Sequence, residues 1–532
     1  MVTAIQRALK NIAAHGDTDI FPFPFERYLI MEDPDACEGL LTAVHRDFEA
    51  SLASHPPLTI EALSPVGYNG FRRATLIEPF WNAYYLALVI SIAADIEEVR
   101  VPLAEESVFS YRFKWDDASD SLFSNSTWND YRRKALERSK LAEFVVLADI
   151  ADFYPRVNHH RLENALGRLN LRSDIPSRIL TLLTSFSETE SYGLPVGGPA
   201  SRMLAELALN DTDRHLQSRN VAFCRYADDY TLFCDSKSAA YKLLVLLSEK
   251  LANDGLSLQK QKSRILTATE FAEINRFLDQ KSIDDPIATE EQKLLNISIR
   301  FDPYSDTAVE DYETLKAAVR EIDIIGILSR EIGKTIVDQV VVKQAINALK
   351  ALGPELQEQA IRILLDRENL LTLSPVFITV MRAVRGVYAD LTEMGKGRVD
   401  DALVDLYQVN SHLLAVDLNL SYYVQALSLQ DSEAKAKILI EIFENTSNRF
   451  LKRQIILVMA KWHRHYFLTD VKRHFKTYTE WERRAIIVAS FRLGDEGRHW
   501  RRNIKSIWSP AELVVQGWAG ERARANRLDS IG

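Results

Sequence analysis

Cysteine is scarce in this chain, with three residues (Cys37, Cys224 and Cys234) in 532. So few thiols exclude a disulfide scaffold, and no Cys/His run has zinc-ligand spacing. The three are expected to be small buried hydrophobes. Long apolar runs are also missing: nothing approaches the ~20 residues needed to cross a bilayer. The N-terminal MVTAIQRALKNIAAHG lacks a secretory-leader pattern, so a reducing cytoplasm is expected, and the apolar stretch Tyr84–Ala94 is assigned to core. Cations do not dominate either. Lys and Arg number 65 against 74 Asp and Glu, a net charge of −9, so any grip on nucleic acid must come from a local patch. What is present is ordinary globular composition, 47% hydrophobic and 26% charged, in a chain long enough for two or three domains.

The most informative segment is Val221–Cys234, VAFCRYADDYTLFC. It reads as an apolar strand, a tight turn with Asp228 and Asp229, and a second apolar strand. Adjacent carboxylates at a hairpin tip repel one another, a cost that a divalent cation removes. Upstream, Phe144–Pro155 (FVVLADIADFYP) reads as a strand ending in Asp149, with Asp152 and Tyr154 just beyond. If the two strands are neighbours, three carboxylates meet. Such a group can hold two Mg²⁺ ions roughly 4 Å apart, the arrangement that activates an attacking oxygen and steadies a leaving phosphate. Solvated aspartates at a sheet edge are the plainer alternative. Between the clusters, Ser191–Asn210 places Gly193, Pro195, Gly197 and Gly198 ahead of an amphipathic helix. That pattern suits close approach of a nucleotide or template, or simply a structural loop.

Together these residues resemble the palm of a reverse transcriptase. Tyr226-Ala-Asp-Asp229 and Asp149-Ile-Ala-Asp-Phe-Tyr154 match the two metal-binding motifs, and Gly193-Leu-Pro-Val-Gly197 matches the loop supporting template and incoming base. The resemblance implies that Asp149 and Asp228 bind two Mg²⁺ ions (or Mn²⁺), with the Ile150 carbonyl as a further ligand and Asp229 beside them. It implies that Asp152 lies near the triphosphate or the 3′ end and that Tyr154 is a steric gate favouring dNTPs. Gly255–Ser263 is similar to the palm segment after the catalytic hairpin, which brings Lys262 to the leaving phosphate. Arg72-Arg73-Ala-Thr-Leu-Ile77 resembles the fingers segment that offers cations to the triphosphate, and Val108–Arg112 a finger strand. The pattern covers roughly residues 65–300 in the family's order.

Within that family the chain resembles the bacterial abortive-infection reverse transcriptases, a phage-defence group. Val196 stands where most templated enzymes carry glutamine, and valine can neither donate nor accept a hydrogen bond there. The resemblance implies synthesis of single-stranded DNA from dNTPs without template, started on a protein hydroxyl and left covalently attached, in a cytoplasmic homo-oligomer with no membrane partner. A conventional RNA-templated reverse transcriptase and a non-enzymatic defence scaffold are the competing readings. The priming residue is not identified: Tyr28 and Tyr68 are two candidates among 19 tyrosines.

The expected class is α+β, right-hand polymerase fingers and palm with an antiparallel sheet, followed by an all-α domain. Residues 1–64 are expected to pack on the fingers, 65–304 to form fingers and palm, and 305–532 to form the helical domain, called HEAT-like on the resemblance alone. Apolar spacing predicts helices over 309–325, 332–349, 356–364, 376–394, 400–416, 422–443, 450–462 and 478–493, with a short helix after Ile20–Leu29. Between Arg449 and Arg484 ten Lys or Arg stand against three acids, interleaved with aromatics. Arg449, Lys452, Arg453, Lys461, Trp462, Arg464, Lys472 and Arg473 are the candidates for holding single-stranded DNA. The same spacing also reads as the packed and solvated faces of two helices. His159, His160 and the histidines of the basic stretch are assigned surface or phosphate-contacting roles.

Overall fold

The computed structural model describes residues 1–124, 126–169, 171–187, 190–275, 290–291, 294, 322–409 and 411–530. It forms two compact units that interleave in sequence. Met1–Asp19, Asp33–Thr59 and Thr75–Ser282 make the first; Ile20–Glu32, Ile60–Ala74 and Ile283–Gly532 make the second. The three consecutive stretches expected from sequence therefore do not map one to one onto these units. The boundary expected at 304/305, and residues 309–321 of the helix expected over 309–325, lie outside the described residues.

In the first unit, helix Pro79–Ser91 is buried at every position from Pro79 to Ile90. Its N-terminus is fixed by Glu78, whose carboxylate accepts from the N–H groups of Phe80 and Trp81. Helix Val2–His15 packs along it. Among the described residues no single helix is long and apolar enough to cross a membrane. The bent pair Pro79–Ser91 and Ala93–Val99 passes that test of length and composition only when joined across a 47° break.

The strands are β1 (Thr59–Val66), β2 (Gly70–Ile77), β3 (Phe113–Asp116), β4 (Ser121–Phe123), β5 (Phe144–Asp149), β6 (Ala222–Tyr226), β7 (Asp229–Cys234) and β8 (Arg264–Thr267). β1–β2 and β3–β4 are two-stranded, and the central sheet runs β6-β7-β5-β8 with antiparallel neighbours throughout. Helices cover both faces of this sheet. Val145, Cys224 and Phe233 pack with Phe109, Tyr131, Leu136 and Phe271, while helix Lys237–Asn253 covers β5 and β7. Two-sided burial explains why FVVLA is continuously apolar rather than alternating. The segment expected as a finger strand, Val108–Arg112, adds only a bridge to β6. Phe109 N–H donates to the Arg225 carbonyl (3.1 Å) and Arg225 N–H to that of Ser107 (2.7 Å).

The second unit is a two-layered helical array. Helices Phe377–Val387, Asp417–Leu427, Arg449–Lys461, Glu480–Ala489 and Pro510–Arg524 pack each on the next, although other helices intervene in sequence. Packing between alternate helices is the stacking logic of a solenoid. Several expected helices are broken. Asp338, Thr392 and Ser432 each cap a new helix by accepting a backbone N–H. The spans 376–394 and 422–443 therefore split at Thr392 and Ser432, while 332–349 shortens to Gln339–Ala348 behind the Asp338 cap and a separate helix, Ile324–Ile332, precedes it. Ile20–Glu32 belongs to this unit. Phe25 stacks on Trp518 with centroids 5.7 Å apart, Tyr422 donates to the Ile20 carbonyl (2.9 Å), and buried Glu26 pairs with Arg453.

Candidate active site

β5 ends at Asp149, and its register with β7 sets Asp149 opposite Asp229. β6 pairs Tyr226 with Asp229, leaving Ala227 and Asp228 as a two-residue turn. Ala227 holds φ at 51°, the left-handed conformation this kind of hairpin demands. The Ile150 N–H donates to the Asp228 carbonyl (3.2 Å), and the Gln259 N–H to that of Asp149 (2.7 Å). The structure thus brings Asp149, Asp228 and Asp229 to one corner of the sheet, locked by backbone hydrogen bonds on both flanks.

The corner is short of positive charge. Lys262 Nζ lies 2.6 Å from Asp149 Oδ2 and is the cation paired there. Burial, then the charges of Asp228 and Asp149, push the Asp229 carboxyl up to about 7, and Lys262 only partly opposes this. Among the described residues no three His, Cys, Asp or Glu side chains form a ready metal cage. The donor set nevertheless fits a hard divalent cation. Asp149, Asp228 and Asp229 meet there, and Mg²⁺ is commonly held by one or two carboxylates, with phosphates and water completing its shell. Ile150, next to Asp149, bridges Leu258 at the same corner.

Beside the aspartates, Tyr154 is half-buried. Its hydroxyl is held protonated first by burial, then by the neighbouring Tyr111 and, further down, Asp228. Tyr111 faces Tyr226 at 5.9 Å, and Arg202 lies over the Tyr111 ring while pairing with Asp19 at 2.5 Å. The sequence reading assigned no role to Tyr111 or Arg202. Asp152 is exposed, in a left-handed conformation (φ 48°), with Arg156 Nε 4.0 Å away. The Gly193–Gly197 loop is tied to the Tyr154 turn: Leu194 N–H donates to the Tyr154 carbonyl and Gly193 N–H to that of Val157, each at 2.8 Å. Gly193 needs its φ of 105°, a conformation costly for any residue with a Cβ. Pro195 is buried in the loop. His159 corrects its surface assignment: it is buried, and Nε2 sits 2.8 Å from the Gly193 carbonyl. Cys37 and Cys224 are buried as expected, whereas Cys234 is half-buried.

Behind the turn lies a buried ionic network that the sequence reading missed. Arg225, fully enclosed, bonds Asp213 (2.6 and 2.8 Å), Glu206 (2.8 and 3.2 Å) and the Ala227 carbonyl (2.8 Å). Arg100 reaches the other side of Glu206 at 2.5 Å, and Ser110 donates to it at 2.6 Å. Burial pushes the Glu206 carboxyl up, but Arg225 and Arg100 outweigh it and hold it below its ordinary range. Two arginines balance two acids, so the buried charges are compensated and the turn is braced from below. A signal did exist: an arginine inside an apolar strand requires a buried acid, and Glu206 and Asp213 recur at seven-residue spacing on one helix.

The remaining candidates lie in the second unit. Arg72 and Arg73 are exposed on β2, and Arg73 pairs with Glu61 at 3.2 Å. The basic stretch is not an open stacking platform, which corrects the single-stranded-DNA reading in favour of packed helix faces. Only Arg449 and Arg473 of its eight candidates are exposed. Arg453 and Trp462 are buried, Lys452 lies over the Phe443 ring, Lys461 donates to the Ser428 carbonyl, Arg464 pairs with Asp431 and Glu433, and Lys472 with Glu496. Tyr68 is tied down, donating to the Thr372 carbonyl (2.9 Å) and accepting from Val337 N–H (3.1 Å), while Tyr28 is exposed.

Residues 93–326 match the family described as reverse transcriptase (RNA-dependent DNA polymerase), so this stretch is a reverse transcriptase domain. The Retron Ec86 reverse transcriptase of Escherichia coli is 29% identical over 128 residues, which span 23% of this chain and 38% of that protein. The match thus spans well under half of the relative's length. Two solved structures overlap more broadly and more loosely. Telomerase from Candida albicans, with the TWJ fragment of telomeric RNA, has 12% identity and TM-score 0.27, covering 76% of this chain and 68% of its own. Apo telomerase from Candida tropicalis has 9% identity and TM-score 0.28, covering 65% and 72%. Overlaps this loose bear on neither fold nor function.

Proposed function

We propose that this protein is a DNA polymerase of reverse-transcriptase type that transfers deoxynucleotides to a hydroxyl primer. The carrying observation is the corner formed by Asp149, Asp228 and Asp229, with Lys262 on Asp149 and Asp229 raised to about 7 by burial and then by its two carboxylate neighbours. Asp149, Asp228 and the Ile150 carbonyl would hold the divalent ions, two Mg²⁺ or Mn²⁺. When bound, these ions supply charge that activates the attacking hydroxyl and stabilises the departing pyrophosphate. The chain's own residues do the rest. Lys262 offers an ammonium to the developing phosphate charge. Tyr154, braced by the Gly193–Gly197 loop, sets the floor on which a deoxyribose fits and a 2′-hydroxyl does not. Arg225 fixes the turn that aims Asp228.

Synthesis on this reading is template-independent and primed on a protein hydroxyl, in a homo-oligomer of the bacterial cytoplasm that acts in abortive antiphage defence. Val196, half-buried in the loop, supports this because it offers no amide to a template. The test is a denaturing gel of nuclease-treated protein incubated with labelled dNTPs and no primer. Label that stays with the polypeptide and is shortened by DNase supports protein priming. Product appearing only after RNA and a primer are added favours the templated reading instead.

A further inference from the structure

The second unit has an open pocket of about 590 Å³, within the range of small-ligand sites and apart from the aspartate corner. One wall is the aromatic strap around Phe23 and Tyr28; another is helix Phe377–Val387, which presents Arg382 and Arg385 three residues apart. Lys350 joins them, its Cε close enough to Gly386 that a Cβ there would stand 2.5 Å away. Glycine at 386 therefore makes room for a third cation on this wall.

The charge is one-sided. No Asp or Glu lines the cavity. Among the described residues, Lys350, Arg382 and Arg385 have no carboxylate within ion-pair distance. Arg382 lies over the Tyr422 ring and Arg385 donates to Gln425 (2.9 Å). Like charges at this helical spacing repel, a cost that an anion would reverse. Lys461 reports the same field: burial lowers its pKa first, and Arg385 lowers it further.

We propose that this cavity binds a nucleotide unit, with its phosphate against Lys350, Arg382 and Arg385 and its base against Phe23 and Tyr28. Guanidinium pairs suit phosphate, and exposed rings suit a planar base. Arg27 already lies over the Phe23 ring (4.4 Å) and Arg522 over that of Tyr28 (5.7 Å), so both rings carry a planar group that a base would join or displace, whereas an acidic peptide would satisfy the cations alone. The nucleotide unit could come from a single strand or from a free nucleotide, and the two separate experimentally. The inference does not depend on polymerase chemistry, so binding is measured in EDTA, where a failed palm cannot imitate a failed pocket.

The test is fluorescence anisotropy of the full chain with a labelled oligothymidylate and with a fluorescent dATP analogue. Wild type is compared with R382Q/R385Q and with F23A, whose altered side chains are exposed; thermal melts confirm that the variants remain folded. Losing two phosphate contacts should weaken strand binding about tenfold or more and lower the slope of log K against log salt by about 1.4. Loss for the oligonucleotide alone identifies a strand, and loss for the dATP analogue identifies a free nucleotide. Unchanged affinity for both in R382Q/R385Q overturns the proposal, as does displacement by oligoglutamate with no binding of either nucleotide probe.

Discussion

Replacing Asp229 by asparagine should stabilise the metal-free protein above neutral pH, although it removes a carboxylate beside the proposed chemistry. Burial first, then Asp228 beside it and Asp149 across the β5–β7 register, push the Asp229 carboxyl up to about 7, and Lys262 opposes this only in part. The folded form therefore holds the proton more tightly than the unfolded chain, where the ordinary value is about 3.9. Stability is full at low pH and falls as pH rises from about 4 through about 7. A shift of about three units at about 1.4 kcal/mol each bounds the loss at about 4 kcal/mol. Partial solvent contact reduces it to about 2 kcal/mol, or roughly 4–8 °C in melting temperature for a unit of this size. The assay is thermal melting in EDTA from pH 5 to pH 8. Wild type should lose several degrees more than D229N across that range, and Mg²⁺ should remove most of the difference. Parallel pH curves for the two proteins in EDTA would refute the electrostatic account.

Three further outcomes follow from the same geometry. Removing Arg225 as R225M takes the paired cation from buried Asp213 and leaves Glu206 to Arg100, and should cost about 3–5 kcal/mol, read as a lowered melting temperature. By contrast K262A, which changes a half-exposed side chain, should alter stability by less than about 1 kcal/mol but cut incorporation by about 10²-fold, read as kcat in single-nucleotide addition. Y154A should admit ribonucleotides, seen as a fall in the dNTP-over-rNTP ratio of kcat/KM with DNA synthesis retained.

What was legible in the sequence was what neighbours along the chain could encode. The hairpin carrying Asp228 and Asp229, the strand ending at Asp149 and the glycine loop are short-range patterns, and each falls where its residue types predict. The brace behind them was harder to see, because Arg100, Glu206, Asp213 and Arg225 meet only after folding. The basic stretch misled for the same reason. Its cations are answered by Glu26, Asp431, Glu433 and Glu496, none of which lies in the window where charges were counted. Periodicity found the helical array but ran helices together at Thr392 and Ser432, where one capping side chain outweighs a continuing apolar stripe, and began too early the helix that Asp338 caps. The interleaving of 20–32 and 60–74 with the C-terminal helices depends on contacts such as Phe25 with Trp518, far apart in sequence.

The measurement that bears most directly on the central claim is deoxynucleotide incorporation by wild type and by D228N, with melting curves showing that both are folded. Both should be supplied with labelled dNTPs and Mg²⁺, first without and then with RNA and a primer. The account predicts DNA from wild type that depends on Mg²⁺ and is abolished in D228N. A folded wild-type protein that makes no DNA under either condition, or a D228N protein that makes as much as wild type, would contradict it.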